Sequence, residues 1–191
     1  MMAQENATTA NQLVCKVEHS EPLRMLGETY AFWCQTLTLA AAAIAAFLAI
    51  RASRAIERRK AAAAAVFAGR RDETLAKAIR RIAVLHDSEK NMAALARKDN
   101  IDSDDSKDIR YALNHYEHVS VAIAHDIYDE ELIKSSSYMT VTRLYIRAKA
   151  YIEEVRKQPG AGVTAYQELE CLACRWIANP LKHKPVKMVP A

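Results

Sequence analysis

The chain has 191 residues, enough for one domain with an appendage but too few for two ordinary domains. Gly (4) and Pro (5) are scarce, while Ala, Leu, Arg, Lys and Glu, which lose little rotamer freedom in a helix, are abundant. The net charge of +4 combines a net −2 in residues 1–50 with a net +6 in the remainder, without a dense basic tract interleaved with aromatic residues. The composition therefore predicts an all-α fold and argues against nucleic acid as a partner.

A long apolar segment follows a polar N-terminal tail of residues 1–28. The 20 residues from Ala31 to Ile50 carry no charge. At about 1.5 Å of rise per residue, a helix of this length spans roughly 30 Å, the thickness of a bilayer's hydrocarbon core. The sequence therefore predicts a transmembrane helix over residues 29–51. Its start carries three aromatic side chains that suit a headgroup interface, Tyr30, Phe32 and Trp33.

Basic residues follow the apolar segment directly, and only Glu57 opposes them. By the positive-inside rule, this asymmetry predicts a single-pass protein with its N-terminus outside and its C-terminal domain in the cytoplasm. Contact with anionic lipid headgroups would explain the same charges equally well, which makes membrane lipid an expected partner. The residues expected at the membrane surface are Arg51, Arg54, Arg58, Arg59 and Lys60.

Two other interpretations of the apolar segment remain open. A cleaved signal peptide normally has its positive charge before the apolar run, whereas here the charge follows it. A buried Ala-rich helix of a soluble bundle is the stronger alternative, because eight of the 20 residues are Ala and Gln35, Thr36 and Thr38 are polar.

Small residues recur at four-residue spacing within the apolar segment, at Ala41, Ala45 and Ala49. Such a smooth face lets a second helix approach closely in a membrane. The pattern predicts self-association of the segment, and hence a homo-oligomer.

Helical patterns continue after the apolar segment. Residues 52–69 contain no Pro and predict a basic helical stalk that ends at Gly69. A cytoplasmic bundle of four or five helices is expected over residues 70–180, and a loose basic tail over residues 181–191. Asp72 is an expected N-cap, and the acidic and hydroxyl residues at 101–108 are typical of a helix start.

Apolar stripes at helical spacing mark the expected core of this bundle. Asp129, Glu130 and Glu131 are expected to begin a separate short turn between two of the helices. Pro159 and Pro180 are expected to follow the ends of the last two helices. The stripes are Leu75, Ile79 and Ile82; Ile109, Leu113, Tyr116, Ser120, Ile123 and Ile127; Val141, Leu144, Ala148, Ile152 and Val155; and Tyr166, Leu169, Ala173, Trp176 and Ile177.

Four pieces of sequence in this order resemble an uncharacterised domain-of-unknown-function family of small bacterial proteins with one N-terminal transmembrane helix. They are FWCQTLTLAAAAIAAFLAIRASRAI, YALNHYEHVSVAIAHDIYDEEL, RAKAYIEEVR and AYQELECLACRW, and they cover most of residues 31–178. The resemblance implies a location in the cell inner membrane, a helical cytoplasmic domain and occurrence in bacteria or their prophages. It implies no known reaction.

One helix concentrates the polar residues that are candidates for contact with a ligand or a protein partner. Tyr116 lies on the apolar stripe, and structural hydrogen bonds between helices are the competing explanation for its polar neighbours. His115 and His118 could share a metal ion only with further ligands from elsewhere, so no metal site is predicted. The candidates are Asn114, His115, Glu117 and His118.

Nothing in the sequence predicts catalysis or a cofactor. Cys171 and Cys174 form a CxxC inside a predicted helix, whereas a reactive pair has its first Cys at a helix N-terminus, where the helix dipole lowers the thiol pKa. The common phosphate-binding loops and hydrolase motifs are absent. No catalytic residue is therefore assigned.

The sequence favours a membrane-anchored module that binds a protein partner or a second copy of itself at the cytoplasmic face of the membrane. The prophage association suggests a role at the membrane during phage infection. The alternative is an enzyme or ligand sensor with a polar pocket around Asn114, His115 and Glu117.

Overall fold

A computed structural model describes residues 24–25, 28–160 and 162–182. The described part of the chain is all-helical apart from a two-residue antiparallel pair, β1 with β2. The predicted all-α class is therefore confirmed. The elements are β1 (Arg24–Met25), β2 (Glu28–Thr29), α1 (Tyr30–Arg71), α2 (Glu73–Asp87), α3 (Met92–Ala96), α4 (Asp104–Ala124), α5 (Glu130–Lys157) and α6 (Gln167–Ala178), with a 3₁₀ turn at Lys98–Asn100.

The chain divides between Ile50 and Arg51 into two units. In the first unit, α1 begins at Tyr30 and contains the apolar segment. Most of the N-terminal tail predicted for residues 1–28 lies outside the described residues.

The second unit is a helical bundle around one apolar core. The second half of α1 contributes Ala62, which is fully buried, and Val66, which packs against the core. The sequence predicts a helical stalk over residues 52–69. In the structure these residues belong to the second half of α1 and lie in the same compact unit as the bundle.

Local capping residues fix where the bundle helices begin. The predicted cap Asp72 accepts a hydrogen bond from the backbone N–H of Leu75 over 2.9 Å. Ser103 caps α4 in the same way, within the predicted start signal. Each side chain satisfies one of the N–H groups that a helix start leaves without an intrahelical partner.

The predicted stripes form most of the core, with three differences. Asp129 begins the 28-residue helix α5, not a separate short turn, because its side chain caps Leu132 and no helix breaker follows until Pro159. Ile127 lies beyond the end of α4 and is exposed, and Ile177 on α6 is also exposed. The segment 88–100 contains α3, which buries three apolar side chains: Met92, Leu95 and Ala96.

Candidate membrane segment and ligand cleft

The apolar part of α1 is unburied along its whole length. Every side chain from Cys34 to Ile50 is exposed, and α1 is long and apolar enough to cross a membrane. A helix buried in a soluble core would hide such a segment, so its exposure disfavours the alternative of a buried Ala-rich helix.

Two polar side chains of this segment are satisfied within the helix. The hydroxyl of Thr36 donates to the carbonyl oxygen of Phe32 over 2.9 Å, and that of Thr38 donates to the carbonyl of Cys34 over 2.8 Å. A hydroxyl bonded in this way can lie in hydrocarbon without an unpaired donor. The three small residues Ala41, Ala45 and Ala49 are exposed, as contact with another helix would require.

The five basic residues predicted at the membrane surface fall into two groups. Arg58 forms an ion pair with Asp126 over 3.0 Å, Arg59 pairs with Asp129 over 3.4 Å, and Lys60 pairs with Glu57 over 2.9 Å. These three contacts partly neutralise the end of the basic stretch.

The remaining two, Arg51 and Arg54, are exposed and form no ion pair within the described part of the chain. They are also the two basic residues nearest in sequence to the apolar segment. They carry the positive charge of this stretch that no carboxylate of the described residues balances.

The four polar candidates on α4 do not form one site. Asn114 and His118 are exposed, whereas His115 and Glu117 are half-buried and contact different elements. His115 faces the end of α1, where an added Cβ at Gly69 would lie 3.4 Å from its Nε2 atom. The predicted polar pocket around Asn114, His115 and Glu117 is therefore divided between opposite sides of the helix.

Glu117 has a structural role. Its carboxylate accepts the backbone N–H of Leu169 over 2.8 Å and that of Glu168 over 3.3 Å, at the first turn of α6. Tyr166, the residue before α6, has a left-handed backbone (φ 58°) and supplies no side-chain cap. Glu117 thus caps α6 from a neighbouring helix, where its negative charge also suits the helix dipole.

A cleft of about 350 Å³ opens beside His115, between α1, α2, α4 and α5. Its apolar lining includes Val66, Ile79 and Ile133, and its polar lining includes three hydroxyl side chains of α5. This volume lies in the range of small-molecule sites. The hydroxyls belong to Ser136, Ser137 and Thr140.

The charge in this cleft has one sign. Arg70 and Arg80 line it, and no Asp or Glu does. Within the described part of the chain, neither guanidinium forms an ion pair; the Nε–H of Arg80 donates to the carbonyl of Ala76. Burial lowers the pKa of His115, although the nearby Asp72 carboxylate opposes this effect. The imidazole therefore lines the cleft mainly as a neutral hydrogen-bonding group at pH 7.

A second cleft of about 160 Å³ adjoins this one between α2 and α5. The two share Ile79 and Thr140, and the second adds Arg143 and Arg147 to the lining. It too lacks a carboxylate among its lining residues.

His115 was predictable as a candidate from the sequence, but the arginines and hydroxyls opposite it were not. The arginines come from the consecutive helices α1 and α2 and the hydroxyls from the distant helix α5, and amphipathic periodicity places each residue only on the polar side of its own helix. The one local indication of a polar surface on α5 was the run Ser135 to Ser137. Serine is a weak helix former, so three in succession are unusual within a helix.

Neither cysteines nor metal ligands form a recognisable centre in the described residues. Cys34, Cys171 and Cys174 are free thiols on the surface. Across residues 24–25, 28–160 and 162–182, no three His, Cys, Asp or Glu side chains are grouped to hold a metal ion.

These features define a class of protein: a helical bundle preceded by one helix that is long and apolar enough to span a membrane. The chain belongs to the family described as Domain of unknown function (DUF4760), whose model matches residues 36–176. The match begins inside the apolar segment and ends in α6, so the family includes both parts of the chain. No curated protein and no solved structure matches it.

Proposed function

We propose that this chain is a single-pass protein of a bacterial inner membrane, with its N-terminus outside and its helical bundle in the cytoplasm as a module for protein interaction. The observation that carries the proposal is the uncharged stretch of α1, exposed at every residue from Cys34 to Ile50, which is followed at once by Arg51 and Arg54. Exposed apolar surface of this extent requires a covering, and lipid is the covering that its length matches.

A topology experiment tests this proposal. The full chain is expressed in bacteria with green fluorescent protein at its C-terminus or alkaline phosphatase at its N-terminus, and membranes are washed with alkaline carbonate. The protein should stay in the membrane, with fluorescence from the C-terminal fusion and phosphatase activity from the N-terminal fusion. Release by carbonate would contradict the membrane span, and activity of the reporters in the opposite pattern would contradict the orientation.

Charge variants test whether the basic residues after the span determine the orientation of the protein in the membrane. Replacing Arg51 and Arg54 with Gln should increase the fraction of chains with inverted topology, because these two cations are the free positive charge nearest the span. The matched control replaces Arg70 and Arg71 with Gln, which removes the same charge beyond the first turns after the span. Equal inversion by both pairs would contradict the assigned role of Arg51 and Arg54.

Self-association is the form of interaction for which the sequence offers a surface. In a reporter assay for transmembrane association, Ala45→Leu should weaken the signal, because a bulky side chain prevents close approach of the backbones. Ala43→Leu is the control, since it adds the same volume to the opposite face. Absence of a signal, or equal effects of the two substitutions, would contradict self-association through this face. The partner would then be a different protein. A pull-down from detergent-solubilised membranes would then identify that protein by mass spectrometry.

A ligand sensor is a second candidate function, favoured by the cleft beside His115. The cleft joins α1, which contains the apolar segment, to three other bundle helices. A ligand that binds there would contact all four helices at once.

A further inference from the structure

We propose that the two adjoining clefts form a binding site for an organic anion with an apolar body. The site would take an acid such as a phosphate ester or a carboxylate. This inference concerns the bundle alone and does not depend on the topology proposed above.

The apolar part of the ligand would lie on the floor of the clefts. Ile79 lines both clefts, with Val66 and Ile133 at the larger end and Leu144 at the smaller one. An apolar floor of this kind contributes affinity by removing an organic group from water. A bare inorganic ion has no apolar surface to bury against this floor, so the floor indicates an organic ligand.

The acid group of the ligand would lie at the larger cleft, between Arg70 and Arg80. Neither guanidinium forms an ion pair with a described residue, although many other arginines of the bundle do, including Arg81 and Arg156. The lining supplies no carboxylate of its own to neutralise them. A planar guanidinium donates two hydrogen bonds to one carboxylate or phosphate, so two of them in one cleft favour a ligand of that chemistry.

The polar groups around the two arginines suit the same ligand. The hydroxyl of Ser136 already donates to backbone carbonyls of α5, so its remaining capacity is to accept a hydrogen bond. The side chains of His115 and Thr140 add neutral hydrogen-bonding groups to the wall. Ser136 would accept a hydrogen bond from a hydroxyl of the ligand, and His115 and Thr140 would donate to the ester oxygen that joins the acid to the apolar body.

The test uses the full chain in detergent micelles and 1-naphthyl phosphate as the probe. Isothermal titration calorimetry, with titration into empty micelles subtracted, compares this probe with inorganic phosphate and with 1-naphthol. The organic phosphate should bind with a Kd at least about tenfold lower than that of either part alone, because charge-assisted hydrogen bonds and apolar burial both contribute to it.

Paired variants then locate the site. The double variant Arg70→Gln/Arg80→Gln should raise the Kd of 1-naphthyl phosphate at least about tenfold. The control Arg71→Gln/Lys77→Gln removes the same net charge from exposed positions that line neither cleft, and it should leave the Kd unchanged. An unchanged circular-dichroism melting curve would show that each variant is folded.

Two results would overturn the inference. One is the absence of saturable binding of 1-naphthyl phosphate to the folded wild-type chain. The other is equal weakening by the two double variants, which would show attraction to net charge and no defined site.

A soluble acid and an anionic lipid share the chemistry of this ligand. The titration is therefore repeated in nanodiscs of phosphatidylcholine with and without phosphatidylglycerol. Competition by phosphatidylglycerol that the Arg70→Gln/Arg80→Gln variant abolishes would identify a lipid headgroup as the ligand. Equal affinity in the two nanodiscs would identify a soluble anion.

Discussion

Glu117 illustrates how a polar residue can be conspicuous in the sequence while its role depends on the fold. Its place beside the apolar stripe predicted either a structural contact or a ligand contact. Its hydrogen-bond partners, the amides of Glu168 and Leu169, lie more than 50 positions away along the chain. A local sequence pattern could not identify these partners, because they lie in a different helix that only the fold brings next to Glu117. Helix α6 has no side-chain cap of its own.

Removing this carboxylate should destabilise the bundle. Glu117→Ala leaves two amide donors of α6 without their acceptor and is expected to lower the free energy of unfolding by about 1–2 kcal/mol. Urea unfolding of the full chain in micelles, followed by circular dichroism, measures the change. The control Glu153→Ala alters an exposed carboxylate of α5 and should cost less than about 0.5 kcal/mol. Similar losses in both variants would contradict the capping role.

His115 should make the stability of the bundle depend on pH near neutrality. Burial lowers its pKa below 6.5, so the unfolded chain takes up the proton at a higher pH than the folded chain does. Between the two pKa values the unfolded state binds more protons, and stability therefore falls as the solution is acidified.

The measurement compares urea unfolding at about pH 7.5 and about pH 5.5, which bracket the ordinary histidine pKa. The loss of stability across this range should be smaller in His115→Gln than in the wild type. His125→Gln, at an exposed position just after α4, should keep the wild-type loss. If the slope is the same in all three proteins, His115 is not the residue responsible.

At the scale of the elements, helix starts were predictable and helix lengths were less so. Caps such as Asp72 and Ser103 act on amides within three residues, so the sequence contains the whole interaction. The unbroken extent of α5 depends on packing along 28 residues, and that packing allows the hydroxyl-rich stretch near Ser136 to remain helical. The burial of α3 likewise depends on the helices around it.

The second half of α1 shows the same limit. Alanine runs predict a helix but give no amphipathic stripe, so the sequence could not show that Ala62 faces a core. Leucine at this fully buried position should overfill the contact and lower the free energy of unfolding by about 1–3 kcal/mol. Ala64→Leu makes the same change at an exposed position two residues later and should be close to neutral. Equal tolerance of the two substitutions would indicate a free stalk, and chemical denaturation distinguishes the cases.

At the scale of the whole molecule, composition was sufficient for the all-α class, and one apolar run was sufficient for the candidate membrane span. The cleft was not predictable, because its lining comes from four helices and its charge pattern emerges only when they are packed. The family model matches residues of both the apolar segment and the bundle, but its description gives no activity.

The bundle should lose stability in acid, because several of its carboxylates are held in the charged form. Hydrogen bonds or cations lower their pKa values in the fold, so the stability they contribute is present above the unfolded pKa and is lost as pH falls through the folded pKa. Unfolding should therefore become easier below about pH 4, near the ordinary values for Asp and Glu. The groups are Asp72, Asp105, Asp129, Glu154 and Glu170.

Asp105 and its neighbour Asp104 provide the test. The Asp105 side chain is 12% exposed and accepts hydrogen bonds from Arg81 Nε and Lys90 Nζ, both over 2.6 Å, whereas that of Asp104 is 99% exposed. Asp105→Asn should cost about 1 kcal/mol at pH 7, after allowance for solvent screening, and should reduce the loss in acid. Asp104→Asn should do neither; the pH dependence of urea unfolding reports both effects.

Helix α6 follows all the other described helices in the chain and is therefore synthesised after them. This helix supplies Leu169, Leu172 and Trp176 to the core, and the indole N–H of Trp176 donates to Glu130 at the start of α5 over 2.8 Å. A nascent chain lacks this wall until α6 has left the ribosome, long after the apolar stretch has been synthesised. The apolar stretch therefore meets its surroundings before the bundle core is complete, because the core can close only once α6 has emerged.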